Sequence, residues 1–134
     1  MKRQSGYVPG AKFTFTVSAA IESIWFGLGL ILLPRLFYDL AFMVEPTIVE
    51  IYAFRLIGVM ALAIGLGCWH ARKGDRAIAK LMSRIMFVAK GGSTICLVGL
   101  MIGTSTTFIF LVNPILTAFL FYINARLLME LMKR

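Results

Sequence analysis

Four long apolar runs constrain this chain more than any other feature of its sequence. A helix rises about 1.5 Å per residue, so about twenty apolar residues cross a hydrocarbon core of roughly 30 Å. The runs cover residues 14–33, 48–70, 81–103 and 107–128, and short connections separate them. These lengths predict an all-α membrane protein in which four transmembrane helices form a single integral-membrane domain over residues 1–134.

The positions of the basic residues predict how the helices are oriented. Lys and Arg concentrate in the short cytoplasmic loops of membrane proteins. The basic connection at residues 71–80 and the two chain ends carry most of them, whereas Arg35 stands alone on the opposite side. We therefore expect an up-down-up-down bundle, with both the N and C termini and the 71–80 loop in the cytoplasm.

Composition narrows the class of partner. Hydrophobic residues make up 60% of the chain and the mean hydropathy is +0.87. A net charge of +8 would suit nucleic acid in a soluble protein, but here the charges cluster between apolar runs and do not interleave with exposed aromatics. The positive clusters suit anionic lipid headgroups instead. We expect membrane lipids as partners and no nucleic acid.

The connection after the first run predicts a short helix that lies in the membrane interface. Pro34 ends the first run, because proline stops a helix. Residues 35–47 then combine apolar side chains with two charged ones that can face water, as expected for a helix with one face in the lipid. The apolar positions are Leu36, Phe37, Leu40 and Phe42, and the charged ones are Arg35 and Asp39.

Ionisable residues inside the apolar runs mark a candidate site. A charge exposed to hydrocarbon is costly, so Glu22, Arg55 and Lys90 are expected to face protein, water or a headgroup. Helix rise places Glu22 and Lys90 about 12–14 Å from the cytoplasmic edge, and Arg55 near 20 Å. The predicted interior cluster of candidate ligand- or ion-binding residues comprises Glu22, Lys90, Arg55, Asn113, Ser23 and Ser93.

Two functional interpretations of this cluster stay open. In the first, a polar chamber binds an ion, a proton or a small amphipathic ligand, as in a transporter, channel or carrier. In the second, an internal ion pair only fixes helix order, with Lys90 reaching towards the interface, in a non-catalytic accessory subunit or assembly factor of a larger membrane complex.

The sequence gives little indication of an enzyme, a metal or a cofactor. Cys68 and Cys96 are too few for a closed zinc site, and the single histidine, His70, falls at a membrane edge. No nucleophile–base pairing or phosphate-binding glycine loop is evident. We expect a protein without catalytic residues, metal ligands or cofactors.

Small residues predict where helices pack closely, since glycine lets two backbones approach. Packing within the chain is the preferred interpretation, but four short helices bury little surface. We therefore also expect a homo-oligomer or a partner membrane subunit. The candidate packing positions are Gly27, Gly58, Gly65, Gly99 and Gly103.

A family resemblance lies chiefly in the second run. Its residues follow the pattern Glu50-xxxx-Arg55-xx-Gly58, Gly65 comes later, and Pro34 follows the first run. Together with hydropathy over most of the chain, this pattern resembles the small four-helix bacterial membrane proteins of the DoxX-like and DUF4345-like kind. With the charge bias, it implies the bacterial inner (cytoplasmic) membrane, and it implies no settled biochemical role.

Overall fold

The computed structural model describes residues 10–42, 45–73, 75–103 and 112–133, and these ranges contain helices and no β-strand. The connection between the third and fourth runs, the first residues of the fourth run and residues 1–9 lie outside them. The helices are α1 (Ala11–Leu32), α2 (Pro34–Phe42), α3 (Ile48–Ala71), α4 (Arg76–Gly103) and α5 (Val112–Lys133).

The predicted set of spanning helices is confirmed. α1, α3, α4 and α5 are long and apolar enough to cross a membrane. α4 begins at Arg76, five residues earlier than the apolar run suggests. Asp75 explains the difference, because its Oδ1 accepts a hydrogen bond of 3.0 Å from the Ile78 N–H and so caps the first turn.

The start of α3 is fixed by reciprocal hydrogen bonds. The Glu50 N–H donates to the Thr47 hydroxyl over 3.3 Å, and the Thr47 N–H donates to Glu50 Oε2 over 2.7 Å. Glu50 Oε1 also accepts a 2.5 Å hydrogen bond from the Tyr38 hydroxyl, which ties the short helix α2 to α3. This bond to the carboxylate raises the pKa of the Tyr38 hydroxyl, since it favours the protonated form.

α1 changes its winding in the middle. Ala11–Ala20 is α-helical, Ile21–Leu28 is π-helical, and Gly29–Leu32 is α-helical again. A π-helix pairs residues five apart and has a wider turn than an α-helix. Such stretches often occur at functional sites, and this one carries the buried carboxylate of Glu22.

α1 and α3 approach each other closely where both carry glycine. A Cβ added at Gly58 would lie 2.9 Å from the Gly27 carbonyl oxygen, and one added at Gly27 would lie 3.2 Å from the Leu62 Cα. One turn further on, a Cβ at Gly65 would lie 3.0 Å from the Ser23 backbone nitrogen. Two backbones therefore meet with no room for a side chain between them.

Within the described ranges, Gly99 takes no part in the predicted packing. Gly99 is exposed, and no heavy atom of the described residues would lie within 4 Å of a Cβ added there. The reason is that α4 packs on its neighbours through another face, which includes Ala79 and Met86, both nearly inaccessible. The surroundings of Gly103 lie outside what the structure describes.

The apolar core fills the end of the bundle next to the connection between α3 and α4. Fully buried side chains from all four long helices meet there. At the same end, Arg76 Nη2 donates a 2.9 Å hydrogen bond to the Leu131 carbonyl and ties α4 to α5. The central members of the core are Phe15, Cys68, Met86, Leu120 and Leu127.

Gly58→Ala should destabilise the protein. The new methyl group would collide with backbone atoms of Gly27 and Ile31, which cannot rotate away. We expect the free energy of unfolding in mild detergent to fall by about 1–3 kcal/mol. Gly99→Ala is the matched control, because its methyl group meets open space, and equal losses in the two variants would contradict the close contact of α1 with α3.

Candidate functional site

A buried ion pair joins α1 to α4. The Glu22 side chain comes from the π-helical stretch of α1 and is wholly inaccessible, and the Lys90 side chain is 9% exposed. The Lys90 ammonium contacts Glu22 Oε1, and it also lies 4.9 Å from the centre of the Phe26 ring. The two opposite charges neutralise each other inside the bundle, which offsets much of the cost of burying either one.

The ion pair leaves hydrogen-bonding capacity unused. Among the described residues, Glu22 Oε2 has no hydrogen-bond donor, although it is buried. An ammonium group carries three donors, and Glu22 Oε1 is one acceptor. Lys90 therefore has donors left for another group on its exposed side.

That exposed side faces a cavity of about 340 Å³ that all five helices enclose. This volume lies at the lower end of the range for small-molecule sites in proteins. The wall is aromatic and aliphatic apart from a few polar groups. The lining residues are Phe26, Leu30, Phe37, Phe42, Phe54, Ile57, Ala61, Lys90, Ser93, Cys96, Leu97, Asn113 and Thr117.

The cavity has a closed end and an open side. Ala61 and Thr117 are buried in its wall, whereas Ile57 on α3 and Cys96 on α4 are exposed at its rim. The opening therefore lies between α3 and α4, on a surface that would face lipid. Towards the other end of the bundle α3 and α4 close up, since a Cβ at Gly67 would lie 3.2 Å from the Met82 side chain.

The polar groups on the wall are chiefly hydrogen-bond donors. Trp25 Nε1–H donates to Asn113 Oδ1 over 2.9 Å, and among the described residues the Asn113 amide NH₂ has no acceptor. The Thr117 hydroxyl already donates to the backbone carbonyl of Asn113 over 2.6 Å. With the Lys90 ammonium and the Ser93 hydroxyl, the cavity presents N–H and O–H groups to an occupant.

The predicted site residues separate into three places. Lys90, Ser93 and Asn113 line the cavity, and Glu22 lies behind Lys90. Ser23 lies against Gly65 in the contact between α1 and α3, outside the cavity wall.

Arg55 lies apart from both the cavity and the contact of α1 with α3. The predicted clustering of Arg55 with Glu22 is therefore wrong. Arg55 is exposed, and its guanidinium lies 5.7 Å from the centre of the Tyr52 ring. The physical reason is the length of α1, which ends at Leu32, just past the contact of Ile31 with Gly58. At the level of Arg55, α1 has reached its last residue, Leu32, which lines the same concave surface as Arg55, and Glu22 lies ten residues, about 15 Å of helix, away from Leu32.

Sequence reasoning missed two members of a polar face on α5. Asn113, Thr117 and Asn124 recur at helical spacing, and this signal was available in the sequence. Asn124 is fully buried, and its Nδ2 donates a 2.9 Å hydrogen bond to Ser18 Oγ on α1. The aromatic side chains of the cavity wall gave no such signal, because they come from separate helices with no common period.

Similarity to known proteins gives no evidence for the function of this chain. No protein-family model, curated protein or solved structure matches this chain. The resemblance to DoxX-like proteins stays a prediction. Within the described ranges, no group of three His, Cys, Asp or Glu side chains is placed to hold a metal ion.

Lys90→Met should strongly destabilise the protein, because it leaves the Glu22 carboxyl buried without a partner. Removing one member of a buried ion pair typically costs about 3–5 kcal/mol. The double variant Glu22→Gln/Lys90→Met removes both charges and should recover most of that loss. Equilibrium unfolding of the two single variants and the double variant in mild detergent measures the coupling.

The exposed pair Arg126 and Glu130, whose charged groups lie 3.8 Å apart, supplies the control. Glu130→Gln should change stability little, because solvent screens such a pair. If Lys90→Met were equally mild, or if the two single losses at Glu22 and Lys90 simply added, the coupled ion pair would be refuted.

Proposed function

We propose that this protein is a non-enzymatic, carrier-like membrane protein that binds a small amphipathic molecule in the cavity beside Lys90. The observation that carries the proposal is the cavity itself, about 340 Å³ in volume, apolar over most of its wall and lined with donors at the ion pair. Pockets for small ligands have this composition. An ion site would need more polar oxygen ligands than this wall provides.

The wall indicates the chemistry of the ligand. An alkyl or isoprenoid tail would contact aromatic residues such as Phe37 and Phe54. The head would be a neutral group with an acceptor oxygen, such as a carbonyl, because the wall offers donors and the Lys90 charge is already balanced by Glu22. A carboxylate head would add an uncompensated negative charge to a buried site, which is costly.

The orientation of the bundle in the membrane is part of the same proposal. Helix contacts support an up-down-up-down bundle: Ser23 meets Gly65 while Gly27 meets Leu62, so α1 and α3 run in opposite directions. Likewise, Arg76 meets Leu131 at the start of α4 and the end of α5. Both termini and the connection between α3 and α4 would be cytoplasmic, as the basic residues favour.

In this orientation the cavity opens in the outer half of the membrane. The cavity wall includes residues of the short helix α2 and the first residues of α5, whereas the packed core fills the cytoplasmic half. A lipophilic ligand would enter sideways between α3 and α4. Its release to the cytoplasmic side would require the core around Met86 and Leu120 to rearrange, so this conformation would be the outward-facing one of the proposed carrier.

Cys96 provides a native reporter of occupancy. It lines the cavity and is exposed, whereas Cys68, the other cysteine, is fully buried. In Cys68→Ala protein in detergent, decan-2-one should slow alkylation of Cys96 by N-ethylmaleimide. Decane, which lacks an acceptor, and decylamine, which adds a cation next to Lys90, should protect less.

Filling the cavity should abolish that protection. Ala61→Leu places a larger side chain in the wall, whereas Ala63→Leu on the same helix points outward and is the matched control. Decan-2-one should protect Cys96 in the Ala63→Leu protein and fail to protect it in the Ala61→Leu protein. Equal protection in both variants would rule out the cavity as the binding site.

The ion pair should decide the preference for the ketone. The Glu22→Gln/Lys90→Met double variant keeps the cavity but replaces the ammonium donors with an apolar side chain. We expect decan-2-one to lose its advantage over decane in the Cys96 protection measurement. If the advantage were unchanged, donors other than Lys90 would determine the head group.

An accessory subunit or assembly factor is the second candidate function, and one observation favours it. Gly92 and Gly99 lie seven residues apart on one face of α4, and no heavy atom in the described part of the chain would lie within 4 Å of a Cβ at either position. Such a face suits a helix of a second copy or of another subunit. Gly92→Leu/Gly99→Leu should then dissociate the assembly, observed by native mass spectrometry, while decan-2-one still protects Cys96.

A further inference from the structure

A second concave surface lies where α1, α2 and α3 meet, apart from the cavity. It has a volume of about 440 Å³. Two of its lining residues are arginines, Arg35 from α2 and Arg55 from α3. Most of the other lining residues are apolar, including Leu32, Leu33 and Ile48. We call this surface the arginine groove.

The two guanidinium groups have no negative partner within the described ranges. Neither lies within 4.0 Å of a carboxylate there. The nearby Glu50 carboxylate is already engaged, because it accepts hydrogen bonds from the Tyr38 hydroxyl and from Thr47. The arginine groove therefore carries two guanidinium groups that form no ion pair within the described ranges, between largely apolar walls.

The position of Arg55 along α3 places its charge near the level of lipid headgroups. Arg55 follows Ile48 by seven residues, which corresponds to about 10 Å of helix. Helical side chains lean towards the N-terminal end of their helix, and the Arg55 guanidinium lies over Tyr52, almost one turn closer to the start of α3. Long basic side chains near helix ends commonly reach the interface in this way.

We propose that the arginine groove binds the phosphate-bearing head of an anionic phospholipid. Guanidinium groups match phosphate oxygens with paired hydrogen bonds, and two of them face one concave surface here. The apolar walls argue for a lipid over a free phosphate ion, because the first acyl carbons would cover Leu32, Leu33 and Ile48. This inference is independent of the proposed ligand of the cavity.

Lipid retention measured by native mass spectrometry tests the arginine groove. Protein released from bilayers containing equal amounts of phosphatidylglycerol and phosphatidylcholine should retain phosphatidylglycerol in preference. Arg35→Gln and Arg55→Gln should each lower that preference about fivefold, as expected for one basic residue near a membrane surface. Arg84→Gln is the matched control, since Arg84 is an exposed arginine on α4 and does not line the groove.

Three results would overturn the proposal. They are equal retention of the two lipids by the wild-type protein, full retention of phosphatidylglycerol by the Arg35→Gln/Arg55→Gln variant, and displacement of the lipid by inorganic phosphate. The last result would indicate a site for a free anion. If Arg55→Gln does not fold, Arg35→Gln on the short helix α2 and the charge-conserving Arg55→Lys decide the question, because Arg55→Lys should retain part of the preference.

Discussion

The cost of placing charge in hydrocarbon determines much of this structure. Glu22 and Lys90 lie in the middle of helices long and apolar enough to cross a membrane, and each is tolerated there because it neutralises the other. Their contact joins α1 to α4, which are far apart in the chain. It also turns the remaining donors of Lys90 towards the cavity, so one interaction both stabilises the bundle and forms the polar end of the proposed binding site.

The cavity exists because the helices pack unequally. Glycines at Gly27, Gly58 and Gly65 bring α1 and α3 into backbone contact, and the π-helical stretch of α1 carries Glu22 into the interior beside that contact. α3 and α4, by comparison, approach each other near Gly67 and Met82 and diverge further along. The space between them is lined with aromatic side chains and would open towards lipid in a membrane, as the proposed site for a lipophilic molecule requires.

The sequence predicted what hydropathy and depth determine. Four spanning helices follow from the lengths of the apolar runs. The rise per residue of a helix placed Glu22 and Lys90 at the same depth. The clustering of Arg55 with Glu22 was wrong, because depth does not tell where α1 ends or whether a side chain is covered by a neighbouring helix. Gly99 could not be assigned to a face that packs, since small residues suit either a neighbouring helix or lipid. The π-helical winding of α1 and the aromatic wall from several helices have no periodic signature in the sequence.

Photocrosslinking tests the central claim, that the cavity holds an amphipathic ligand, most directly. An alkyl ketone that carries a diazirine near the end of its tail would be activated with the protein in nanodiscs, and the labelled residues mapped by peptide mass spectrometry. We expect label on residues of the cavity wall such as Phe54, Ile57 and Leu97, and unlabelled ketone should reduce that labelling. Label spread over outward-facing residues such as Val59 and Val88, unaffected by competitor, would contradict it.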